Sequence, residues 1–533
     1  MRGIKAIPKD PGTVFFTTAM LPVQDAQKKL LIYPVSLLRY DKLSLLQSCT
    51  RKHYLLLLMI LILSSYIHLW NPVGFPDIFF DEGIYMRRAV NVLETGNPQE
   101  TYFYDHPYWG QIILAGFLKI TGFPGTAEQN LEMTYLVPRI LMGIFAVLDT
   151  FLVYKIAEKK FGKKTAVIAS VLFAVMPFTW ILRRILLDTI LLPFLLSSIL
   201  LAMHAQDSKN QNLLILGSAS LLGLAIFTKI TAVTMIPIVG YIIYANMRRK
   251  NDLLKWIIPV FMIPLAWPAT SLLLNQLDYW FKDVFWQAGR GSGAVLVVVE
   301  QLFSIDMVLM ILALASFVFA IYKRKLFLIL WFMPFLLFVS LVGFLQYFHF
   351  ILVLPVMCIS AGFMIQTCIE RIRKNKMQNY CFMIITAAII LFGTISSGML
   401  INTNLTRGQF EVLELLLDNF DGTDTTLLSS PVYSWIVSDI HKRDHVLLDY
   451  SRILYEPVRT EKVMLVADLH FMTDISRGAQ LQDVYNDLKY TITVDDKTEE
   501  FNTEMFPYGG MLFTREVGPI ELKTNWDLSW RRP

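Results

Sequence analysis

The chain has 533 residues, of which 55% are hydrophobic and 17% are charged. Soluble domains carry about 25% charged residues, so this composition excludes an ordinary soluble protein and predicts a polytopic membrane protein. The formal net charge of +5 excludes little, because in membrane proteins the location of charge matters more than its sum. Nothing in the composition predicts a nucleic-acid partner.

The N-terminal stretch contains Lys, Arg, Pro and Asp before any long apolar run. We therefore expect no cleavable signal peptide and interpret residues 1–53 as a cytoplasmic tail. Eleven apolar runs then follow that are long enough to cross a bilayer, which takes about 17–25 residues. They lie near 54–70, 134–154, 165–182, 185–203, 213–228, 230–246, 256–273, 306–322, 326–343, 347–368 and 380–400. A shorter run at 107–121 is interrupted by Pro107 and Gly110, which predicts a re-entrant or juxtamembrane helix.

The Lys and Arg residues predict the orientation of these spans. With a cytoplasmic N-terminus, the inner loops carry 19 Lys and Arg residues, and the much longer outer loops carry nine. Since cytoplasmic loops are enriched in Lys and Arg, this orientation is favoured. An odd number of spans then places the C-terminal segment outside. The sequence thus predicts a multi-pass protein of the cell membrane.

Three regions are predicted outside the bilayer on the outer side. The first outer loop, 71–133, contains an amphipathic helix from Asp81 to Glu94, which Gly96-Asn97-Pro98 would end. The second outer loop, 274–305, combines aromatic residues with glycines. Residues 401–533 form a small α/β domain, with a helix over 411–420 and strands over 425–429, 445–449, 463–467 and 490–494. Residues 54–400 would then be a transmembrane catalytic domain.

Several cations lie on the outer side, against the topological bias. Arg139, Arg184 and Lys229 each lie at the outer end of a predicted span. A charge costs about 2.5–3.5 kcal/mol at mid-bilayer, and although the cost is lower near the surface, several cations in one leaflet favour an anion. Each could instead snorkel to lipid headgroups. A lipid phosphate has the right charge at the right depth.

Acidic residues are predicted on the same side as these cations. They are Asp81, Glu82, Asp105 and Asp188. One carboxylate could deprotonate an acceptor hydroxyl while the cations stabilise a phosphate leaving group. The alternatives are structural: Asp81 could cap the helix that it begins, and Asp188 could pair with Arg184 four residues earlier. His106 could brace its loop.

Five short motifs resemble the GT-C glycosyltransferases, in particular the protein O-mannosyltransferases and the aminoarabinose-type lipid A transferases. The motifs are FDEGIY at 80–85, YDHPYWGQ at 104–111, RILLD at 184–188, GLAIFTK at 223–229 and QYFHFILVLP at 346–355. The resemblance covers residues 54–370. Tyr347 and His349 lie in the last motif, where they could also be ordinary interfacial residues.

The resemblance implies a sugar transferase that uses a polyprenyl- or dolichyl-phosphate sugar on the outer face, with inversion at the anomeric carbon. Asp81 matches the catalytic base and Glu82 the second acid of the pair. Lys229 matches a lysine near the donor phosphate, and Asp188 matches an aspartate of the fourth span. His106 matches the histidine of a His-Pro-Pro motif, in which Tyr108 replaces the second proline.

We therefore predict transfer of a mannose-like hexose to a protein or glycolipid acceptor. Asp81 would take the acceptor proton, and Lys229, Arg184 and Arg139 would hold the donor phosphate. No cofactor is required, although a divalent cation between Asp81 and Asp188 stays an open alternative. The rival hypothesis is a transporter or flippase of a lipid-linked anion, for which inverted repeats and broken helices would be expected.

Overall fold

The computed structural model describes residues 54–99, 103–205, 207–246, 251–290, 295–342, 345–456, 458, 460–475, 479–494 and 519–527. The predicted cytoplasmic tail, 1–53, lies outside the described residues. The helices before the sheet are α1 (Tyr54–Leu69), α2 (Phe80–Thr95), α3 (Trp109–Ile120), α4 (Gly125–Gln129), α5 (Met133–Phe161), α6 (Lys163–Val175), α7 (Leu187–His204), α8 (Gln211–Thr228), α9 (Ile236–Asn246), α10 (Asn251–Met262), α11 (Ala266–Leu273), α12 (Leu277–Gly289), α13 (Val295–Tyr322), α14 (Leu326–Val342), α15 (Leu354–Glu370), α16 (Asn375–Ile401) and α17 (Arg407–Asn419).

Each of the eleven predicted spans falls on a helix, a bent helix pair or a helix with an adjoining 3₁₀ segment. Five of the described helices are long and apolar enough to cross a membrane singly, and two bent pairs raise that number to seven. The other four predicted spans fall on shorter apolar helices. The class of polytopic helical membrane protein is thus confirmed, while the count of eleven stays a prediction. The predicted short helix at 107–121 is α3.

Three 3₁₀ segments interrupt the helical part, at Pro177–Arg183, Ile230–Met235 and Tyr347–Leu352. The first follows α6 with a bend of 65°. Breaks of this kind free backbone groups from the α-helical ladder, and side chains beside them can be held off a regular helix face. Arg184 directly follows the first break, and Lys229 directly precedes the second.

The C-terminal segment contains the predicted sheet. Its strands are β1 (Thr425–Leu428), β2 (Val446–Leu447), β3 (Lys462–Ala467), β4 (Tyr490–Val494) and β5 (Ile520–Thr524), in the order β2-β1-β3-β5-β4. The first three are parallel, and β5 pairs antiparallel with β3 and β4. Its helices are α18 (Pro431–Trp435), α19 (Leu469–Ile475) and α20 (Ala479–Asp487). The small α/β segment is confirmed, with β5 as a strand that the sequence pattern missed.

The C-terminal segment packs directly on the first outer loop. One buried apolar cluster includes Met86 of α2 and Tyr135 of α5 together with Val432 and Trp435 of α18. The Tyr135 hydroxyl donates to the Val432 carbonyl at 2.9 Å and accepts from the Trp435 indole N–H at 2.9 Å. The boundary at residue 401 stays a prediction, because the two parts share this core.

Gly83 allows α2 and α18 to approach closely. A Cβ at this position would lie 2.0 Å from the carbonyl oxygen of Pro431 and 2.8 Å from the backbone nitrogen of Val432. Both obstacles are backbone atoms, which cannot rotate away. Glycine is therefore required if the first turn of α2, which carries the acidic pair, is to rest against the C-terminal segment.

Candidate active site

The two adjacent acids at the start of α2 have different surroundings. Phe79 is the N-cap residue of α2, and its backbone N–H donates to Glu82 Oε2 at 2.9 Å. Glu82, rather than Asp81, thus caps the helix. At the other end Gly96 adopts a left-handed conformation with φ of +71°, where the sequence predicts the helix to stop. Capping through Glu82 leaves the Asp81 carboxylate for another role.

Glu82 forms a fully buried ion pair with Arg139 of α5. The two carboxylate oxygens accept from Arg139 at 2.7 and 3.1 Å, and Glu82 Oε1 also accepts from the Ile185 N–H at 2.9 Å. The remaining Arg139 contacts go to the backbone carbonyls of residues 72, 73, 76 and 77. Every guanidinium nitrogen is engaged, so the phosphate contact predicted for Arg139 has no support in this geometry. It braces the first outer loop instead.

Arg184 pairs with Asp77, four positions before Asp81, at 2.5 Å, and both side chains are buried. The guanidinium also lies over the rings of Phe79 and Trp180, at 4.8 and 5.2 Å from their centroids. The alternative pairing of Arg184 with Asp188 is therefore not the one observed. Asp77 is a site residue that the sequence reasoning missed, although three acids within six positions after an apolar run were a usable signal.

Asp188 of α7 instead pairs with Lys229, which follows α8. Lys229 Nζ donates to Asp188 Oδ2 at 2.6 Å, and both side chains are at most 5% exposed. The ammonium also lies 5.2 Å from the centroid of the Phe348 ring. Asp188 Oδ1 is buried without a hydrogen-bond partner. Since an ammonium has three N–H donors, Lys229 keeps donor capacity that Arg139 lacks.

The second motif of the first outer loop contributes Asp105 and His106. Arg88 of α2 pairs with Asp105 at 2.7 Å. Burial alone would raise the pKa of Asp105, but Arg88 and His106 outweigh it and lower that pKa. Burial lowers the pKa of His106 to about 4, so this imidazole is neutral at neutral pH. Its ring lies 6.3 Å from that of Tyr85, on the same helix as Asp81.

Asp81 is the exception among these acids. Within the described ranges its carboxylate makes no hydrogen bond and no ion pair, whereas Glu82, Asp105 and Asp188 each have a cationic partner. The side chain is half-buried. Burial raises its pKa and Asp105 adds to the increase, while the charge of Lys229 opposes it. A half-buried carboxylate without a partner, close to a cation, fits a general base.

Tyr347 and His349 lie in the third 3₁₀ segment on either side of Phe348. The Phe348 ring contacts the ring of Phe79 at 5.8 Å, next to the start of α2. The backbone N–H of Gln346 donates to His349 Nδ1 at 3.2 Å. The late motif therefore reaches the acidic pair and Lys229 through aromatic contacts.

The second outer loop closes on the first. The Tyr104 N–H donates to Asp283 of α12 at 2.7 Å, and its hydroxyl donates to Gln276 at 2.5 Å. Arg290, just after α12, acts electrostatically on both Asp81 and His106. The sequence reasoning assigned no site role to Arg290, because nothing in its local pattern separates it from an exposed loop cation.

The described residues contain no group of three or more His, Cys, Asp or Glu side chains that could hold a metal ion. Asp188 was considered together with Asp81 as a possible ligand of a divalent cation. One of its carboxylate oxygens already accepts a hydrogen bond from Lys229. Independence of metal stays a prediction that chelation during an assay would test.

Comparison with known proteins finds a family model that matches part of the chain. A sequence model of the family described as dolichyl-phosphate-mannose-protein mannosyltransferase matches residues 105–272, a range that contains Asp188 and Lys229 but not Asp81. No curated protein sequence matches the chain.

Solved structures extend the similarity to most of the chain. ArnT from Cupriavidus metallidurans in the apo state superposes with a TM-score of 0.56 at 10% identity, covering 89% of this chain and 98% of ArnT. The archaeal oligosaccharyltransferase AglB from Archaeoglobus fulgidus, in complex with an inhibitory peptide and a dolichol-phosphate, gives 0.53 at 12% identity, covering 80% of this chain and 70% of AglB. At these identities the likeness establishes the fold. The chain is an integral membrane protein with the GT-C fold, and the predicted resemblance is confirmed.

Proposed function

We propose that this protein is a membrane glycosyltransferase that moves a mannose-like hexose from a polyprenyl- or dolichyl-phosphate donor to an acceptor hydroxyl on a protein or glycolipid. The main observation in support is that the Asp81 carboxylate has no partner in the described ranges, whereas Glu82, Asp105 and Asp188 each form an ion pair. Two structural relatives support the donor class, because ArnT was solved with undecaprenyl phosphate and AglB with a dolichol-phosphate.

The proposed reaction is an in-line displacement. Asp81 takes the proton of the acceptor hydroxyl as its oxygen bonds to the anomeric carbon, and the bond from that carbon to the phosphate oxygen breaks. The phosphate keeps the electron pair, and Lys229 stabilises its charge with the N–H donors that Asp188 leaves available. Arg184 and Arg290 add positive potential, while Glu82 and Arg139 hold the start of α2. Attack opposite the leaving group inverts the anomeric configuration.

The placement on the outer face follows from the distribution of Lys and Arg. In this orientation the N-terminus is cytoplasmic, and the first outer loop, the second outer loop and the C-terminal segment share the extracytoplasmic side. Cysteines introduced one at a time into the exposed end of α17 and into the loop before α6 would test it. An impermeant maleimide applied to intact cells should label only the first.

An Asp81→Asn variant tests the catalytic role. General-base catalysis contributes about 10²–10⁴-fold, so we expect a loss of transfer in that range from polyprenyl-phosphate mannose to acceptors in a native membrane extract. Binding of polyprenyl phosphate should persist, because Lys229 is unchanged. Asp278→Asn, an exposed acid in the second outer loop, is the matched control. Transfer by Asp81→Asn at the rate of the unaltered protein would refute the assignment.

The sugar and acceptor need a separate measurement. Mass spectrometry of the glycans lost when the gene is deleted would identify both, and the anomeric configuration of the product would establish inversion. Donors carrying other hexoses or aminoarabinose, compared with the mannose donor, would show which head group the site prefers.

The transporter alternative keeps one supporting observation, since α6 and the segment after it form a sharply broken helix. Arg184, directly after this break, pairs with Asp77 close to Asp81, so the break is also compatible with a transferase site. Liposomes that contain the protein and a fluorescent polyprenyl-phosphate sugar separate the two classes. A transporter moves the lipid between leaflets without an acceptor, whereas a transferase consumes it only when an acceptor hydroxyl is present.

A further inference from the structure

One side chain of the C-terminal segment reaches the start of α2. The His470 ring lies 5.6 Å from the ring of Phe79 and 5.4 Å from that of Phe80, the two residues directly before Asp81. Phe80 in turn packs against the smaller apolar core of the C-terminal segment, which includes Phe471. The neighbourhood of Asp81 is therefore built by both parts of the chain.

The backbone around His470 is held by hydrogen bonds to Asp468, the residue directly after β3. Asp468 directly follows β3, and its Oδ1 accepts from the Phe471 N–H at 3.0 Å, which caps the first turn of α19. Its Oδ2 accepts from the hydroxyl of Ser430, just beyond β1, at 2.6 Å. His470 lies in this capped first turn, and Phe471 is fully buried. A well-anchored backbone thus carries the imidazole toward α2.

The strand order favours ligand binding at the carboxyl ends of the parallel strands β1 and β3. β1 is flanked by β2 on one side and by β3 on the other, all three parallel. In open α/β sheets ligands bind beyond the carboxyl ends of the strands, where the strand order changes direction. Here that position lies between Ser430 and Asp468. His470 is two residues further along and contacts Phe79 and Phe80 at the start of α2.

Asp81 and His470 are both half-buried. Within the described part of the chain neither side chain makes a hydrogen bond. They interact electrostatically, because a charged His470 lowers the pKa of Asp81. The other groups whose charges act on Asp81 are Lys229, Asp105 and Arg290. Lys229 and Asp105 already have ion-pair partners, Asp188 and Arg88.

We propose that the C-terminal segment supplies the acceptor side of the active site, with His470 as a positioning residue that acts through Asp81. The inference rests on the proposed glycosyl transfer. The acceptor hydroxyl binds at Asp81 and gives its proton to that carboxylate as the glycosidic bond forms. Asp81 then passes this proton to a ring nitrogen of His470, which releases it to water. The carboxylate is restored for the next turnover.

His470→Ala and His470→Gln variants of the full chain in lipid nanodiscs test the inference. The probe is radiolabelled polyprenyl-phosphate mannose with a native membrane extract as acceptor, measured over the pH range in which carboxylates and imidazoles titrate. Met472→Ala, on an exposed position of the same helix, is the matched control. Polyprenyl phosphate binding and the unfolding temperature are recorded for every variant.

We expect His470→Ala to lower kcat by about tenfold, equivalent to roughly 1.4 kcal/mol, with donor binding unchanged. The acid limb of the pH profile should move to higher pH. Activity requires ionised Asp81. A charged His470 lowers the pKa of that carboxyl, so removing the imidazole raises this pKa. His470→Gln should show the same displacement, since glutamine can hydrogen-bond but cannot become charged. A purely structural role for His470 would not move this limb.

Wild-type rates and an unmoved acid limb in both variants overturn the role of His470 while leaving the proposed function intact. If His470→Ala does not fold, the profile of His470→Gln decides in the same way. An unaltered protein that transfers no sugar from any polyprenyl-phosphate donor overturns the proposed function and this inference together.

Discussion

Two clusters of charge lie side by side at the start of α2, and they differ in how completely their hydrogen bonds are satisfied. The closed cluster is the buried ion pair of Glu82 and Arg139. Both oxygens of Glu82 and all three nitrogens of the Arg139 guanidinium have partners. The open cluster consists of Asp81, Asp188 and Lys229. There Asp81 has no partner in the described ranges, and one oxygen of Asp188 is buried without one.

This difference suggests that the closed cluster stabilises the fold and that the open cluster is available to bind a ligand. Breaking a buried ion pair leaves an uncompensated charge, so a saturated network holds the backbone in one arrangement. Groups with unused donors or acceptors can bind a ligand without first losing an existing bond. Glu82 and Asp81 are adjacent in sequence, yet Glu82 is held in the buried ion pair whereas Asp81 has no partner in the described ranges and is available for the proposed reaction. Variants of each cluster should therefore fail in different ways.

The largest effect is expected in the closed cluster. Arg139→Ala leaves Glu82 buried without a cation, at a cost of about 3–5 kcal/mol, so we expect loss of monodisperse protein or a much lower unfolding temperature. The control is Lys442→Ala, which removes an exposed ion pair with Glu94 and should cost about 0–1 kcal/mol. An Arg139→Ala protein as stable as the Lys442→Ala control would contradict the scaffold role.

A smaller effect, on binding rather than folding, is expected in the open cluster. Replacing both partners, Lys229→Gln with Asp188→Asn, avoids an unpaired buried charge and should preserve the fold. Loss of a hydrogen bond to a charged group is worth about 1.5–3 kcal/mol, so the affinity for polyprenyl phosphate should fall about tenfold to a hundredfold. Asp188→Asn alone keeps the ammonium and should retain binding. Equal affinities in the double variant and the unaltered protein, measured by titration in nanodiscs, would remove Lys229 from the phosphate site.

The smallest effect is expected at the contact between α2 and α18, which supports the start of α2 where both clusters lie. Gly83→Ala places a methyl group against the backbone of Pro431, and overpacking of this kind costs about 1–3 kcal/mol. We expect a lower unfolding temperature together with reduced transfer, because α2 must move away from the C-terminal segment. Gly116→Ala in α3 is the control, since nothing lies within 4 Å of its added Cβ. If the two alanine variants unfold at the same temperature, the close approach of α2 to α18 is not required.

The sequence by itself determined the class of the protein and most of its elements. Apolar runs predict helices because a bilayer requires the backbone to satisfy its own hydrogen bonds, and each predicted span is indeed helical. The end of α2 was predictable from Gly96, because a helix end is a local event. Strands β1, β2, β3 and β4 all overlap predicted strands, whereas β5 was not predicted, although its sequence IELKT alternates apolar and polar residues.

Only the tertiary structure decided which charge pairs with which. Glu82 and Arg139 are 57 positions apart and Asp77 and Arg184 are 107 apart, so no local spacing could have matched them. The sequence predicted acids and cations on one side of the membrane, but helix packing paired Arg139 with Glu82 and left Asp81 without a partner in the described ranges. It also brought His470 from the C-terminal segment to α2. Sequence spacing governs neighbours along a helix or strand, whereas a side chain's partners across the fold are set by how the elements pack.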